Sequence, residues 1–410
     1  MKNNLFKRNV TFYKTWISQL LALLGDSFYE VAIVWHVLEM TGSALLTGGI
    51  AIASLTGRVV GSALISSKID KWETRKVMLA TTGARFFLLV LVVAIMNDIK
   101  IPIVGFYALS LILSFLSSCY NIARRKSISE IVTPEDLVEA NAFDSVSGSI
   151  IQIFSWALAG FVMQYLGTSF TFLLNAGLVA IAFVLIIKTK WVSIKNDSDR
   201  QAMASSFAEG FKVIKQARHD LPYIISMEVM FLFLAGFFWA ALPLRINEIG
   251  DATTFGFQGA ANGVGGLITA VYLSRRPNMN KLGKIYLGSL LVHVLGDFSA
   301  ALASYMPVFM FSVFISGLGA SFWNTARQTI FHTSVPTADV GKVFALFEML
   351  TNLVLIVAWI LGGYLADQFS ARTTMIIVVA LQLILVVASM YKQSIRKIMI
   401  SNIKPAKGAS

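Results

Sequence analysis

Charged residues are scarce in this chain. Asp, Glu, Lys and Arg make up 14% of its 410 residues, whereas a soluble domain carries about 25%. Hydrophobic residues make up 56%, and the mean hydropathy is +0.70. A single soluble core stops growing at about 250–300 residues and could not bury this much apolar surface. The composition therefore excludes a soluble globular domain and predicts a chain solvated by bilayer hydrocarbon.

Cysteine and the common catalytic motifs are also missing. The single cysteine, Cys119, excludes a disulfide or a Cys-based metal site within one chain. There is no Gly-x-x-x-x-Gly-Lys-[Ser/Thr] phosphate loop and no His-Glu-x-x-His zinc motif. We therefore expect no enzyme activity, no cofactor and no bound metal.

The net charge of +12 raises the question of nucleic acid binding. The basic residues, however, form short clusters between apolar runs, which is typical of the cytoplasmic loops of membrane proteins. We therefore expect the partner to be the lipid bilayer and not a nucleic acid.

Twelve apolar runs are close to the ~20 residues that a helix needs to cross ~30 Å of hydrocarbon. The runs are 14–36, 44–66, 76–97, 101–122, 142–165, 168–188, 222–245, 256–274, 284–303, 306–326, 341–364 and 373–391. They predict an all-α membrane protein with twelve transmembrane helices in two pseudo-symmetric six-helix bundles.

Orientation and domain limits follow from the polar segments. Basic residues concentrate at both ends and in every second connection, so the positive-inside rule predicts that both termini are cytoplasmic. The longest polar interval divides the chain into a bundle at 1–188, a cytoplasmic linker at 189–221, a bundle at 222–392 and a tail at 393–410. The second part of the linker has an amphipathic pattern that favours a helix lying on the membrane surface; a solvated linker is the alternative.

A short internal repeat supports two related halves. Asn121-Ile-Ala-Arg124 recurs as Asn324-Thr-Ala-Arg327, after the fourth span of each half. Duplicated six-helix units are expected of transporters that rock two bundles against each other. Arg124, Arg327 and two acids near the cytoplasmic ends of the fifth and eleventh spans, Asp144 and Glu348, are candidate gate or interface residues; for the two acids, helix capping is the alternative.

The segment that follows the second span carries a family resemblance. Residues 66–76, SSKIDKWETRK, resemble the loop motif Gly-x-x-x-Asp-Arg-x-Gly-Arg-Lys of the major facilitator superfamily. Serine and glutamate replace its two glycines. The residues that keep its charge pattern are Asp70, Lys71, Arg75 and Lys76. The resemblance implies a charged conformational gate that holds the cytoplasmic side closed; a simple positive-inside loop is the alternative.

Further segments resemble the bacterial macrolide-efflux and siderophore-exporter branch of that superfamily. They are Phe12-Tyr13-x-x-Trp16-x-x-Gln19, Gly25-Asp26, Thr41-Gly42-Ser43 and Gly341-Lys342-Val343-Phe344. The resemblance implies a monomer in the bacterial cytoplasmic membrane that exports hydrophobic or amphiphilic small molecules in exchange for protons. Export of an endogenous siderophore, peptide or lipid is an alternative, and a non-transporting sensor or scaffold is another.

Ionisable residues inside the spans are the candidate coupling residues. Each costs at least ~2.5–3.5 kcal/mol at bilayer depth and therefore needs an explanation. Asp26 and Glu30 lie four apart on one helix face, and two such carboxylates cannot both ionise cheaply at low dielectric. We expect a proton-coupling site with Arg58 as the counter-ion; a static bridge is the alternative. Arg85 lies close enough to the inside for its side chain to reach water.

Three further ionisable residues lie in the second half. Glu228, about two turns into the seventh span, is a candidate for the coupling or substrate site. His293 and Asp297 are four apart in the ninth span, and we expect a local hydrogen-bonded pair there in preference to a proton relay.

Overall fold

The computed structural model describes residues 5–66, 69, 72–96, 101–189, 191, 207–217, 221–275, 281–336 and 339–398. Within these ranges all regular secondary structure is helical. The helices are α1 (Leu5–Arg8), α2 (Val10–Thr41), α3 (Ala44–Ser66), α4 (Thr74–Met96), α5 (Ile103–Ile131), α6 (Leu137–Ile187), α7 (Phe207–Gln216), α8 (Leu221–Ile249), α9 (Ala252–Arg275), α10 (Leu282–Leu302), α11 (Met306–Ser334), α12 (Val340–Gln368), α13 (Ala371–Met390) and α14 (Gln393–Arg396).

Ten of the described helices are long and apolar enough to cross a membrane. They are α2, α3, α4, α5, α6, α8, α10, α11, α12 and α13. Large apolar side chains on several of them point outward: Phe87, Phe154, Phe311 and Ile384 are 64–70% exposed. Such surface is stable against lipid and costly against water, so these faces are suited to hydrocarbon.

The 51-residue helix α6 is broken at Gly167. This residue has φ 76° and ψ 176°, a conformation open almost only to glycine. The two helical parts on either side of the break meet at the junction where the sequence predicts the loop between the fifth and sixth spans.

Local sequence fixes several helix ends. The Asn9 side chain accepts a hydrogen bond from the backbone N–H of Phe12 at 2.8 Å and caps the start of α2. Gly42 ends α2 in the left-handed conformation, with φ 62°. The Ser370 side chain accepts from the N–H of Thr373 at 3.1 Å and caps α13.

Two helices run further than the sequence predicts. Helix α5 ends at Ile131 and α11 at Ser334, whereas the predicted fourth and tenth spans end at 122 and 326. Both copies of the Asn-x-Ala-Arg repeat therefore lie inside helices and not in loops.

The chain forms two compact units. The N-terminal unit comprises Met1–Gly42, Gly49–Ala202 and Asp251–Ala260. The C-terminal unit comprises Ser43–Gly48, Met203–Gly250 and Ala261–Ser410. In the first unit α6 packs on α2 and α4; in the second, α10 packs on α11, and α8 packs on α12 and α13.

Candidate functional site

A polar cavity of about 220 Å³ lies among the helices of the N-terminal unit. Helices α2 to α6 all contribute to its wall. Its charged and polar lining includes Asp26, Glu30, Arg58, Arg85, Ser117 and Asn175. A polar cavity between spanning helices is where a transporter places its coupling or substrate groups.

Asp26 pairs with Arg85 at this cavity. The Arg85 guanidinium donates a hydrogen bond to Asp26 Oδ1, and Ser117 Oγ donates to Asp26 Oδ2 at 2.8 Å. The Arg85 side chain is 2% exposed. The expectation that Arg85 reaches water is therefore wrong, because a carboxylate inside the unit neutralises it.

Glu30 faces Arg58 across the same cavity. Arg58 Nη1 lies 3.9 Å from Glu30 Oε1, and both side chains are about half exposed. Arg58 is therefore the counter-ion of Glu30 alone, because Asp26 pairs with Arg85. Two carboxylates and two arginines give the cavity a balanced charge when all four are ionised.

Several buried polar atoms in the cavity wall have no partner among the described residues. They are Nε and Nη1 of Arg85 and both amide atoms of Asn175. The Asn175 side chain lies against Gly25, where a Cβ would collide with its amide oxygen. Unpartnered buried donors and acceptors are costly, so these atoms are available to water or to a polar part of a ligand.

Sequence reasoning missed Arg85, Ser117 and Asn175 as members of this site. The sequence of α4 did contain a pattern that could have placed Arg85 in the site. The buried positions Thr74, Met78, Thr81, Arg85 and Leu89 follow helical spacing and form one stripe. The threonines give this stripe a polar character, which distinguishes it from a lipid-facing surface.

Glu228 lies in a second polar cluster, in the C-terminal unit. Its side chain is fully buried. Its Oε1 accepts hydrogen bonds from the Tyr286 hydroxyl and from Trp323 Nε1, the latter at 2.7 Å. Its Oε2 accepts from Arg327 Nη1 at 3.3 Å. Arg327 also donates to Asn324 Oδ1 at 2.6 Å, so the second copy of the repeat contributes two residues to this cluster.

His293 and Asp297 form a buried polar pair next to the Glu228 cluster. Their side chains approach at 3.7 Å between Nε2 and Oδ2. Ser316 bridges them, since its Oγ lies 2.8 Å from His293 Nδ1 and donates to Asp297 Oδ1 at 2.6 Å. The His293 ring stacks on Trp323 at 5.5 Å. The expected local pair is present, with a serine that sequence spacing did not reveal.

The first copy of the repeat has a different partner. Arg124 makes a two-pronged contact with Asp144, one arm of which is a 2.5 Å hydrogen bond. The Arg124 side chain is nearly fully buried. The 203-residue offset of the repeat places Phe347 at the position of Asp144, and Glu348, the next residue, is exposed.

The charged loop is described only in part. Asp70 and Lys71 lie outside the described residues. Arg75 donates to the carbonyl of Ile187 at 2.7 Å, and Lys76 pairs with Glu73 at 2.7 Å. The gate role of these four residues stays a prediction.

Solved transporters share this fold. The chain resembles the nucleoside transporter NupG with a TM-score of 0.67 and 14% identity, over 92% of this chain and 98% of NupG. It resembles a bacterial homologue of the iron transporter ferroportin with a TM-score of 0.66 and 16% identity, over 94% and 99% of the two chains. The fold is thus that of a multi-pass membrane transporter.

A family model described as transmembrane secretion effector matches residues 6–408, and the chain belongs to this family of the major facilitator superfamily. The Bacillus subtilis MFS-type transporter YvqJ is 22% identical, over 90% of this chain and 88% of YvqJ. Macrolide efflux protein A of Streptococcus pyogenes is 23% identical, over 88% of this chain and 90% of that protein.

Proposed function

We propose that this chain is a proton-driven exporter of hydrophobic or amphiphilic small molecules that works by alternating access. The observation that carries the proposal is the cavity in which Asp26 and Glu30 each face a separate arginine. Ionisable residues inside spanning helices are costly even when they are paired, and they mark proton or ion sites. The exporter class is supported by the likeness to Macrolide efflux protein A over most of both chains.

Proton binding at Asp26 would release Arg85. A neutral carboxyl no longer holds the guanidinium as an ion pair, and Arg85 already has two unpartnered nitrogen atoms. The freed group can then rearrange or bind a polar part of the substrate. At ~100 mV one proton supplies ~2.3 kcal/mol, which supports a gradient of about fifty-fold.

The proposed membrane arrangement has twelve spans. The described residues contain ten candidate spans; the break at Gly167 divides the 51-residue α6 into two, and we count the 24-residue α9 as a further span. We propose a bacterial cytoplasmic-membrane protein, active as a monomer, with both termini in the cytoplasm.

Reconstituted transport tests the coupling residues. Substrate-driven proton flux is measured in proteoliposomes for Asp26→Asn, Glu30→Gln and the double variant. We expect the double variant to lose proton flux and the pH dependence of transport. Glu139→Gln, a carboxylate that lies outside the cavity and is 42% exposed, is the matched control. Unchanged coupled flux in the double variant would show that the coupling site lies elsewhere.

Export of an endogenous siderophore, peptide or lipid is the second candidate. Two arginines in the cavity, Arg58 and Arg85, favour a substrate with acidic or hydrogen-bond-accepting groups. Secretion by a deletion strain separates the candidates, since loss of a native product without a change in drug susceptibility favours this one. A sensor or scaffold would show no flux of any ligand.

A further inference from the structure

An apolar groove of about 670 Å³ lies in the C-terminal unit, and it shares no lining residue with the cavity of the proposed transport site. Its walls come from α7, α8 and α12. The volume is in the ~300–1,000 Å³ range of ligand pockets. The apolar wall residues include Ile225, Val229, Phe233, Leu346 and Leu350. The hydroxyl of Ser226, also in the wall, donates to the carbonyl of Pro222 at 2.8 Å and so adds little polarity.

Two lysines stand at one edge of this groove. Lys212 and Lys215 line it from α7, are three residues apart and are exposed. Helix α7 is strongly amphipathic: Ile214, between the lysines, is 6% exposed and turned toward the groove. Helix α7 packs on α8 and α12. The groove is therefore apolar between the spanning helices α8 and α12, and its edge beside the first turn of α8 carries the two lysines.

We propose that this groove binds an anionic phospholipid. An apolar channel that opens beside a spanning helix is filled more cheaply by acyl chains than by water. Two lysines at the entrance match a phosphate headgroup, and basic pockets between spanning helices favour anionic head groups. Helix α7 supplies both an apolar face, which contacts the acyl chains of the lipid, and the two lysines, which contact its headgroup.

The lysines set the expected size of the headgroup preference. Each lysine near a membrane surface strengthens binding of anionic lipid about fivefold, so two give about thirtyfold. The apolar walls contribute equally to anionic and zwitterionic lipids with the same acyl chains. Changing the lysines should therefore remove the preference for anionic over zwitterionic lipid. Filling the groove should weaken the binding of both lipids.

Native mass spectrometry of the purified full-length protein tests this. Phosphatidylglycerol and phosphatidylethanolamine with identical acyl chains are titrated into each variant. We expect Lys212→Gln/Lys215→Gln to lose about thirtyfold in phosphatidylglycerol affinity and to bind phosphatidylethanolamine like the wild type. Ser226→Phe, which fills the groove from an exposed position, should weaken both lipids.

The matched control is Lys281→Gln/Lys284→Gln, an exposed pair with the same spacing at the start of α10. It should bind both lipids like the wild type. Equal binding of the two lipids to the wild type, or an equal loss in the control pair, overturns the proposal. Unchanged binding in Ser226→Phe places the lipid elsewhere and also overturns it. Thermal melting confirms that each variant is folded, and the lipid readout is independent of transport.

Discussion

The buried pair of Glu228 and Arg327 gives an asymmetric prediction. Removing the arginine by Arg327→Met leaves a fully buried carboxylate with two neutral donors, Tyr286 and Trp323. Removing the charge by Glu228→Gln leaves an arginine that is 16% exposed and still donates to Asn324 at 2.6 Å. The two single variants should therefore differ, although they break the same pair.

The magnitudes follow from burial. An uncompensated buried charge costs about 3–5 kcal/mol, and we expect this for Arg327→Met. For a unit of about 200 residues this corresponds to a fall in Tm of about 6–20 °C. Glu228→Gln keeps an acceptor oxygen for the tyrosine and the tryptophan, so about 1–2 kcal/mol is expected. In the double variant no charge is left unpaired, and at least half of the loss caused by Arg327→Met should be recovered.

Thermal melting in detergent measures all three variants as a double-mutant cycle. The coupling between the two positions should be at least ~1 kcal/mol, as for residues of one network. Asn324→Ala is the matched control on the same helix, since it leaves the ion pair in place and should cost less than Arg327→Met. Losses that add within ~0.3 kcal/mol would refute the reasoning.

Three further predictions concern single positions. Gly25→Ala places a methyl group against the Asn175 amide and should destabilise by about 1–3 kcal/mol, seen as a lower Tm; an unchanged Tm would mean that the amide moves freely. Gly167→Ala strains a backbone with φ 76° and should cost about 1–3 kcal/mol. Gly177→Ala, inside the same helix where a Cβ has no close neighbour, should be neutral or stabilising by up to ~1 kcal/mol. Asp144→Asn keeps an acceptor oxygen but removes the counter-charge of the buried Arg124, and it should cost about 2–3 kcal/mol in the same assay; a cost below ~0.5 kcal/mol would show that water neutralises that arginine.

The spanning helices could be predicted from the sequence because hydrocarbon imposes a length and a composition on each of them. Their ends were less predictable. Helix α5 passes through Arg124 because Asp144, on α6, neutralises the cation that the sequence places in a loop. Hydropathy measures a residue by itself and cannot detect a counter-charge supplied by another helix.

The candidate site was only partly predictable, because its ion pairs also join residues of different helices. Asp26 and Glu30 stand out because carboxylates are rare in spans, and their spacing gives a shared face. Which arginine each would meet depends on how the helices are rotated about their axes. Arg85, eleven residues into α4, has the correct depth for Asp26, but only its position on the buried stripe of that helix shows that it points inward.

The different partners of Arg124 and Arg327 restrict how the two halves of this protein can be recombined with those of a relative. Arg124 depends on the helix that follows it, α6, whereas Arg327 depends on α8, a helix that precedes it in its own unit. A chimaera that exchanges α6 alone would remove the counter-charge of Arg124. Exchange of the corresponding helix α12 would leave Arg327 paired with Glu228. Donor segments must therefore be cut as α5 with α6 in one half, and as α8 with α11 in the other.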